Sequence, residues 1–132
     1  DSTYRAIFSV GGPTQIYARS GTIEVYFNDS DDSTSYIVNG MTGPASSISA
    51  NTWAHIAVVR NGTTFTAYVN GVAGTSVTGV SAAVALSATG AQVGAASGLY
   101  PFTGYIDDLR ITKGVARYVT NFTPPPVALP VQ

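Results

Sequence analysis

The sequence predicts an all-β protein, an antiparallel β-sandwich or jelly roll, on three observations. Thr, Ser, Val, Ile, Tyr and Gly dominate the 132 residues, and no long segment repeats its apolar residues with the 3.6-residue period of a helix. Short stretches instead alternate apolar and polar residues, as half-buried strands do. Asn-Gly pairs follow two of these stretches, and such pairs favour tight hairpin turns.

Alternation and turn residues together define the predicted elements. In the third stretch Ile23, Val25 and Phe27 lie on one face, while Glu24 and Tyr26 lie on the other. The predicted strands, in chain order, are Arg5–Val10, Thr14–Arg19, Thr22–Asn28, Ser35–Val38, Trp53–Arg60, Phe65–Asn70, Val72–Thr78, Ala91–Ala95 and Thr103–Ile111. A short helical turn is predicted over Gly114–Tyr118.

The middle of the chain predicts a three-stranded meander. Trp53–Arg60 is apolar on both faces, which indicates a central strand covered from two sides. Asn61-Gly62 and Asn70-Gly71 are expected to supply the positive φ angles of the two hairpin turns that follow. Trp53 and these four turn residues are therefore predicted to have structural roles.

Composition excludes several classes of function. Six basic against seven acidic residues give a net charge of −1, which argues against a nucleic-acid partner. The absence of cysteine excludes thiolate metal centres and cysteine nucleophiles. The weakly polar stretch Val80–Ala88 is far shorter than the roughly 20 residues of a spanning helix, so no membrane partner is expected. No cofactor is required by any of these features.

The chain divides into two predicted regions. Residues 1–123 form the globular domain, and residues 124–132 form a proline-rich tail or linker. Prolines fix φ and remove backbone donors, so this second region is expected to be extended.

Two motifs resemble a known family. Asn51–Gly71 contains Trp-Ala-His-Ile-Ala, Asn-Gly and Tyr-Val-Asn-Gly in that order, and Gly104–Tyr118 begins Gly-Tyr-Ile-Asp-Asp-Leu-Arg-Ile. Both resemble laminin-G-like, concanavalin-A-like jelly-roll domains, especially those of bacteriophage tail and virion proteins. The resemblance implies a non-enzymatic adhesion or decoration module on the virion surface, made in the bacterial cytoplasm. Host surface glycans and other virion proteins are its implied partners.

The start of the chain departs from that family. Its members usually carry a Phe-Thr-Ile-Glu type strand before the strand that corresponds to Ala6–Ser9. We therefore expect this sequence to be part of a longer protein, or the strand to come from another segment or chain, because open sheet edges are usually covered.

Few residues offer catalytic chemistry. Glycosidases of this fold need paired carboxylates, and Glu24 is the only glutamate. Asp107 and Asp108 are neighbours and would face opposite sides of a strand. His55 is the only histidine, and the simpler interpretation is a hydrogen-bonded packing residue. No catalytic residue is therefore predicted.

Asp107 is predicted to be structural for a different reason. Alternation places it with Leu109 and Ile111 on an apolar face, so its carboxylate is expected to be buried. A buried carboxylate needs backbone or arginine donors, or else a metal or a partner.

Two sets of side chains are candidates for binding. Asp29, Asp31 and Asp32 lie on one turn and are candidates for Ca²⁺, although a solvated polar turn explains them as well. A glycan would be bound by exposed aromatic rings that stack on its sugars, and the candidates are Tyr100, Tyr17, Tyr26 and Tyr36. The alternative is that these rings only pack against the sandwich.

Two further functions stay open. The domain could serve only in capsid or tail assembly, packing against copies of itself or other virion proteins. It could also be a bacterial extracellular carbohydrate-binding module, because a fold does not fix a function.

Overall fold

A computed structural model describes residues 2–11, 14–30, 34–86 and 90–127. The described residues contain eight strands and no helix. In chain order the strands are β1 (Arg5–Val10), β2 (Thr14–Arg19), β3 (Thr22–Asn28), β4 (Tyr36–Thr42), β5 (Ile56–Asn61), β6 (Thr64–Val69), β7 (Val72–Val77) and β8 (Ala91–Val93). Within this part of the chain no helix is long and apolar enough to cross a membrane.

The strands form two antiparallel sheets. One has five strands in the order β4-β3-β2-β1-β8, and the other has three in the order β5-β6-β7. Strands β3 and β4 face β6 and β7, so the two sheets pack as a sandwich. The predicted all-β, two-sheet architecture is thereby confirmed.

The core lies between the sheets and follows the period of two. On β3 the side chains of Ile23, Val25 and Phe27 all point inward and are at most 8% exposed. The Phe27 ring meets Phe65 of β6 edge-on, with 5.7 Å between the ring centroids. The remaining buried members of this core are Val38, Met41, Ala67 and Val69.

Three two-residue hairpins connect the strands. Ser20-Gly21 and Asn70-Gly71 have positive φ at both positions, as type I′ turns require. In the turn between β5 and β6 only Gly62 has positive φ, at 58°, while Asn61 closes the strand pair opposite Thr64. The prediction was right for Asn70-Gly71 and wrong for Asn61, because that hairpin turns one residue later.

The two sheets approach each other closely at two glycines. A Cβ on Gly74 of β7 would fall on the backbone of Thr42 and Gly43, and a Cβ on Gly43 would lie 2.8 Å from Val69 Cγ2. Thr75 ties the sheets at this point, since its Oγ1 accepts from the Thr42 N–H at 2.8 Å and donates to the Thr42 carbonyl at 3.0 Å.

The end of the domain is held against the second hairpin. The Phe122 N–H donates to the Gly71 carbonyl at 2.9 Å, and Asn121 Oδ1 accepts from the Ala73 N–H at 2.9 Å. The Phe122 ring stacks on Tyr118 with 3.6 Å between centroids. A Cβ on Gly71 would overlap the Phe122 carbonyl, so this close approach requires glycine. We call residues 118–122 the C-terminal clasp.

Several strand boundaries differ from the predictions. β4 runs on to Thr42, and β8 ends at Val93. The segment Thr103–Ile111 is not a strand, and Asp108 within it has a φ of 54°, which interrupts the extended backbone that alternation predicted. Residues 114–118 form bends rather than a helical turn. Tyr105–Val115 lies largely on the surface, and we call it the exposed ribbon.

The prediction of a central strand at Trp53–Arg60 was wrong. β5 begins only at Ile56, and among the described strands it pairs with β6 alone, at the edge of its sheet. Trp53 precedes it and is 67% exposed, so it contributes no core packing. An edge strand can be as apolar as a central one, and composition does not distinguish the two.

Replacing Gly74 with alanine should destabilise the domain, because the added methyl meets backbone atoms that no side-chain rotation can clear. We expect a loss of about 3 kcal/mol in the free energy of unfolding, at the upper end of the usual cost of overpacking. Gly62→Ala is the matched control, since a Cβ there meets no atom within 4 Å and only the positive φ costs about 1 kcal/mol. Urea unfolding measures both, and equal losses would contradict the close approach.

Candidate functional site

The outer face of the five-stranded sheet carries a cluster of tyrosines. The side chains that alternate with the core residues of β2 and β3 point away from the second sheet, and they include Tyr17 and Tyr26. Neighbouring strands and loops bring three more rings beside them. We call the set the tyrosine patch: Tyr4, Tyr17, Tyr26, Tyr36 and Tyr100.

The rings form a row in mutual edge-on contact. Tyr36 touches Tyr26 at 5.7 Å between centroids, Tyr26 touches Tyr17 at 6.2 Å, and Tyr17 touches Tyr100 at 5.7 Å. Tyr4 contacts both Tyr17 and Tyr100, at 4.9 and 6.0 Å. Edge-on pairs of this kind each contribute about 0.5–1.5 kcal/mol beyond the area they bury, so the ring contacts stabilise the patch.

A small core of its own supports the patch. Tyr17 is 4% exposed and packs with Ala6 of β1 and Ala96, each at most 1% exposed. The Ala6 N–H donates to the Tyr100 carbonyl at 2.8 Å, which fixes the loop that carries Tyr100 over β1.

A polar trio lies in the middle of the patch. Glu24 Oε2 accepts from Arg19 Nη1 at 2.9 Å, and Glu24 Oε1 accepts from the Tyr26 hydroxyl at 2.8 Å. The Arg19 guanidinium also lies 4.3 Å from the centre of the Tyr4 ring, as a cation–π contact. The side chains of Arg19 and Glu24 are 32% and 15% exposed, so both oxygens of the only glutamate are engaged within the patch.

Two phenols of the patch, those of Tyr17 and Tyr26, stay protonated at neutral pH. Burial, reinforced by the neighbouring tyrosines, raises the pKa of Tyr17 to about 12. Burial also raises the pKa of Tyr26, with further contributions from its hydrogen bonds to Tyr4 and Glu24. The hydroxyls of Tyr17 and Tyr26 are therefore neutral hydrogen-bonding groups.

The sequence-predicted tyrosines are brought together, but they differ in access. Tyr36 and Tyr100 are 52% and 45% exposed at the two ends of the row. Tyr26 is half-buried, and the buried Tyr17 supports the others from below. Sequence reasoning missed Tyr4 and Arg19. The hairpin at Ser20-Gly21 was the signal for Arg19. The pairing of β2 with β3 across this turn brings Arg19 close to Glu24.

The predicted calcium site is only partly described. The Asp29 N–H donates to the Ser35 carbonyl at 2.9 Å, and Asp29 also forms an isolated antiparallel β-bridge with Val84. Asp31 and Asp32 lie outside the described residues. Among the residues that are described, no group of three or more acidic or histidine side chains is placed to hold a metal.

His55 lies under the C-terminal clasp. Its ring meets Tyr118 and Phe122 edge-on, at 6.0 and 5.5 Å between centroids. Its backbone pairs with Asn70, whose Oδ1 accepts the His55 N–H at 2.9 Å. The ring packs as predicted, but its buried Nδ1 has no hydrogen-bond partner in the described part of the chain. Burial lowers the pKa of His55, and the charge of Asp108 opposes that shift.

The prediction that Asp107 is buried was wrong. Asp107 is exposed, and its Oδ1 accepts the N–H of Asp108 at 2.8 Å. Leu109 and Ile111 are also exposed, at 51% and 72%. Alternation predicted one buried face for all three residues. The segment forms no strand, and the three side chains are exposed to solvent.

The lowered pKa of His55 predicts acid sensitivity. Below about pH 6.5, the ordinary pKa of histidine, the unfolded chain takes up a proton that the folded chain resists, so the free energy of unfolding should fall as the pH is lowered. Denaturant unfolding between pH 7.5 and 5.5 measures this loss. His55→Phe keeps the ring contacts and should flatten the dependence, whereas an unchanged slope would contradict the assignment.

Comparison with known proteins agrees with this architecture. A laminin G-type family model, described as the concanavalin A-like lectin/glucanases superfamily, matches residues 1–117. Members of this superfamily often bind carbohydrates. Neither the curated proteins nor the solved structures yielded a significant match. The matched region contains all eight strands and the whole tyrosine patch, and the chain therefore belongs to the concanavalin A-like lectin/glucanase superfamily.

Proposed function

We propose that the domain is a non-enzymatic carbohydrate-binding module and that the tyrosine patch is its binding surface. The supporting observation is the arrangement of Tyr36 and Tyr100, two partly exposed rings at the ends of the row, around the polar trio of Arg19, Glu24 and Tyr26. Sugar rings offer apolar faces that stack on aromatic side chains, and their hydroxyls bond to carboxylate, guanidinium and phenol groups.

The charges of the patch favour a neutral glycan. Arg19 and Glu24 pair with each other, so the surface carries no excess charge to attract an acidic or basic ligand. Both groups keep unused capacity for hydrogen bonds, because a carboxylate accepts about four and a guanidinium donates five. A hydroxyl-rich, uncharged ligand matches these donors and acceptors.

The proposal of a non-enzymatic role is supported by the state of Glu24. Hydrolysis of a glycosidic bond normally needs two carboxylic groups flanking it, one of them free to donate or accept a proton. Here the only glutamate is held by Arg19 and Tyr26.

We further propose that the module acts on a virion surface, where it adheres to host glycans or decorates the particle. The support is the resemblance of Gly104–Tyr118 to the closing motif of phage tail and virion domains. The prolines at 124–126 follow the C-terminal clasp and suit a tether, because consecutive prolines are extended and stiff.

A second candidate is a purely architectural module, favoured by the exposed ribbon. Tyr105, Leu109, Ile111 and Val115 are 85%, 51%, 72% and 64% exposed within eleven residues. Apolar surface concentrated in this way is typical of a protein–protein contact.

Alanine at Tyr36 or Tyr100 should weaken glycan binding by about tenfold, because each removes an exposed ring of the proposed surface. A glycan array with the domain displayed multivalently identifies ligands, and calorimetry compares the variants on them. Trp53→Ala is the matched control, because Trp53 is a 67% exposed aromatic residue outside the patch, and this variant should bind as the original chain does. Absence of binding to any glycan would contradict the proposal, and release of reducing sugar would contradict its non-enzymatic part.

Calcium at Asp29, Asp31 and Asp32 stays a prediction with its own measurement. If the ion binds the folded chain, millimolar Ca²⁺ should raise the melting temperature, since a ligand of the native state stabilises it. Replacing Asp29 and Asp31 with alanine should remove this increase. Equal effects with and without the ion would indicate an ordinary turn.

A further inference from the structure

The odd-numbered residues of the exposed ribbon are all accessible. The side chains of Tyr105, Leu109, Ile111 and Val115 are between 51% and 85% exposed. Asp107 and Lys113, the charged residues between them, are exposed as well. All six have odd numbers, so in an extended backbone they would lie on the same side.

These residues are arranged symmetrically about Arg110. Tyr105 and Val115 lie five positions before and after Arg110. Asp107 and Lys113 lie three positions away on either side, and Leu109 and Ile111 are its direct neighbours. An antiparallel pair of identical segments centred on Arg110 would therefore place apolar residues opposite apolar ones and Asp107 opposite Lys113. Such cross-strand pairs are the stabilising contacts of a sheet.

We propose that the exposed ribbon is a homodimer interface, in which Tyr105–Val115 pairs antiparallel with the same segment of a second copy of this chain. A two-fold axis through Arg110 makes each contact twice, as in an isologous interface. The charge pattern favours a second copy, because the pairing of Asp107 with Lys113 occurs twice, whereas the like charges of the two Arg110 residues meet once, on the axis.

The backbone of the ribbon is available for this pairing. Apart from Asp108, its residues make no backbone–backbone hydrogen bond within the described part of the chain. Asp108 has a φ of 54°, a conformation that is unfavourable for a residue with a Cβ. Pairing along the whole ribbon requires Asp108, and Gly114 with its φ of 87°, to move into the extended region.

Both ends of the ribbon are held to the sandwich, which keeps it at the surface. Before it, the Phe102 N–H donates to the Gly94 carbonyl at 2.9 Å. After it, Tyr118 stacks on Phe122 in the C-terminal clasp. The ribbon is thus presented in one place, and dimerisation does not require the domain to open.

Exchange of charges tests the interface directly. Sedimentation velocity over a concentration series should show a dimer for the original chain. Asp107→Lys alone and Lys113→Asp alone each place like charges opposite one another at two symmetric positions, and each should raise the dissociation constant about tenfold. An equimolar mixture of these two variants should recover affinity as a heterodimer, because the two positive charges on the ribbon face of one variant then meet the two negative charges of the other.

Apolar variants and a matched control complete the experiment. Leu109→Asp should also dissociate the dimer, whereas Leu86→Asp, at a 70% exposed leucine outside the ribbon, should not. Thermal melting establishes that each variant is folded, since none of these side chains belongs to the core. Hydrogen exchange should protect ribbon amides only in the dimer. A chain that stays monomeric at millimolar concentration, a dimer that ignores these variants, or a mixture without recovery would overturn the proposal.

Discussion

The two-residue period of β3 is the constraint on which both the core and the candidate site depend. Its odd positions, Ile23, Val25 and Phe27, fill the space between the sheets, while Glu24 and Tyr26 stand on the opposite face. A shift of one residue in register would move the apolar set to solvent and the carboxylate into the core. The Ser20-Gly21 turn fixes that register, so this hairpin determines where the polar trio lies.

Sequence patterns located the parts of the fold whose pairing is local. β1, β2 and β3 have the predicted bounds, because alternation and short turns between neighbouring strands leave one consistent register. The ribbon was predicted wrongly because the pairing of a strand there would depend on a distant partner. Its residues alternate as a strand does, but alternation describes one side of a contact and does not say whether a partner strand is present. The exposure of Trp53 is the same kind of failure, since apolar composition alone does not reveal what covers a residue.

The candidate site could be predicted in its members but not in its geometry. Tyr17 and Tyr26 follow from alternation on β2 and β3. Tyr4 and Tyr100, however, come from segments far apart in sequence, and their contact depends on the hydrogen bond between Ala6 and the Tyr100 carbonyl. Which ring is exposed depends on such long-range packing. This packing explains why the four predicted tyrosines differ in the structure. Two of them have accessible rings, Tyr26 is a half-buried hydrogen-bond donor, and Tyr17 is a buried support.

The patch and the ribbon are adjacent in sequence, yet the structure allows each to act without disturbing the other. Tyr100 and Tyr105 are five residues apart, but two backbone hydrogen bonds lie between the surfaces: Ala6 holds the Tyr100 carbonyl, and Gly94 accepts from Phe102. These two hydrogen bonds should therefore keep a change of backbone conformation at Asp108 from moving the patch. Because the ribbon would pair about a two-fold axis, a dimer would present two patches on one particle. Two weak sites joined in this way bind a multivalent surface more tightly than either alone, so the proposed dimer would strengthen the proposed adhesion.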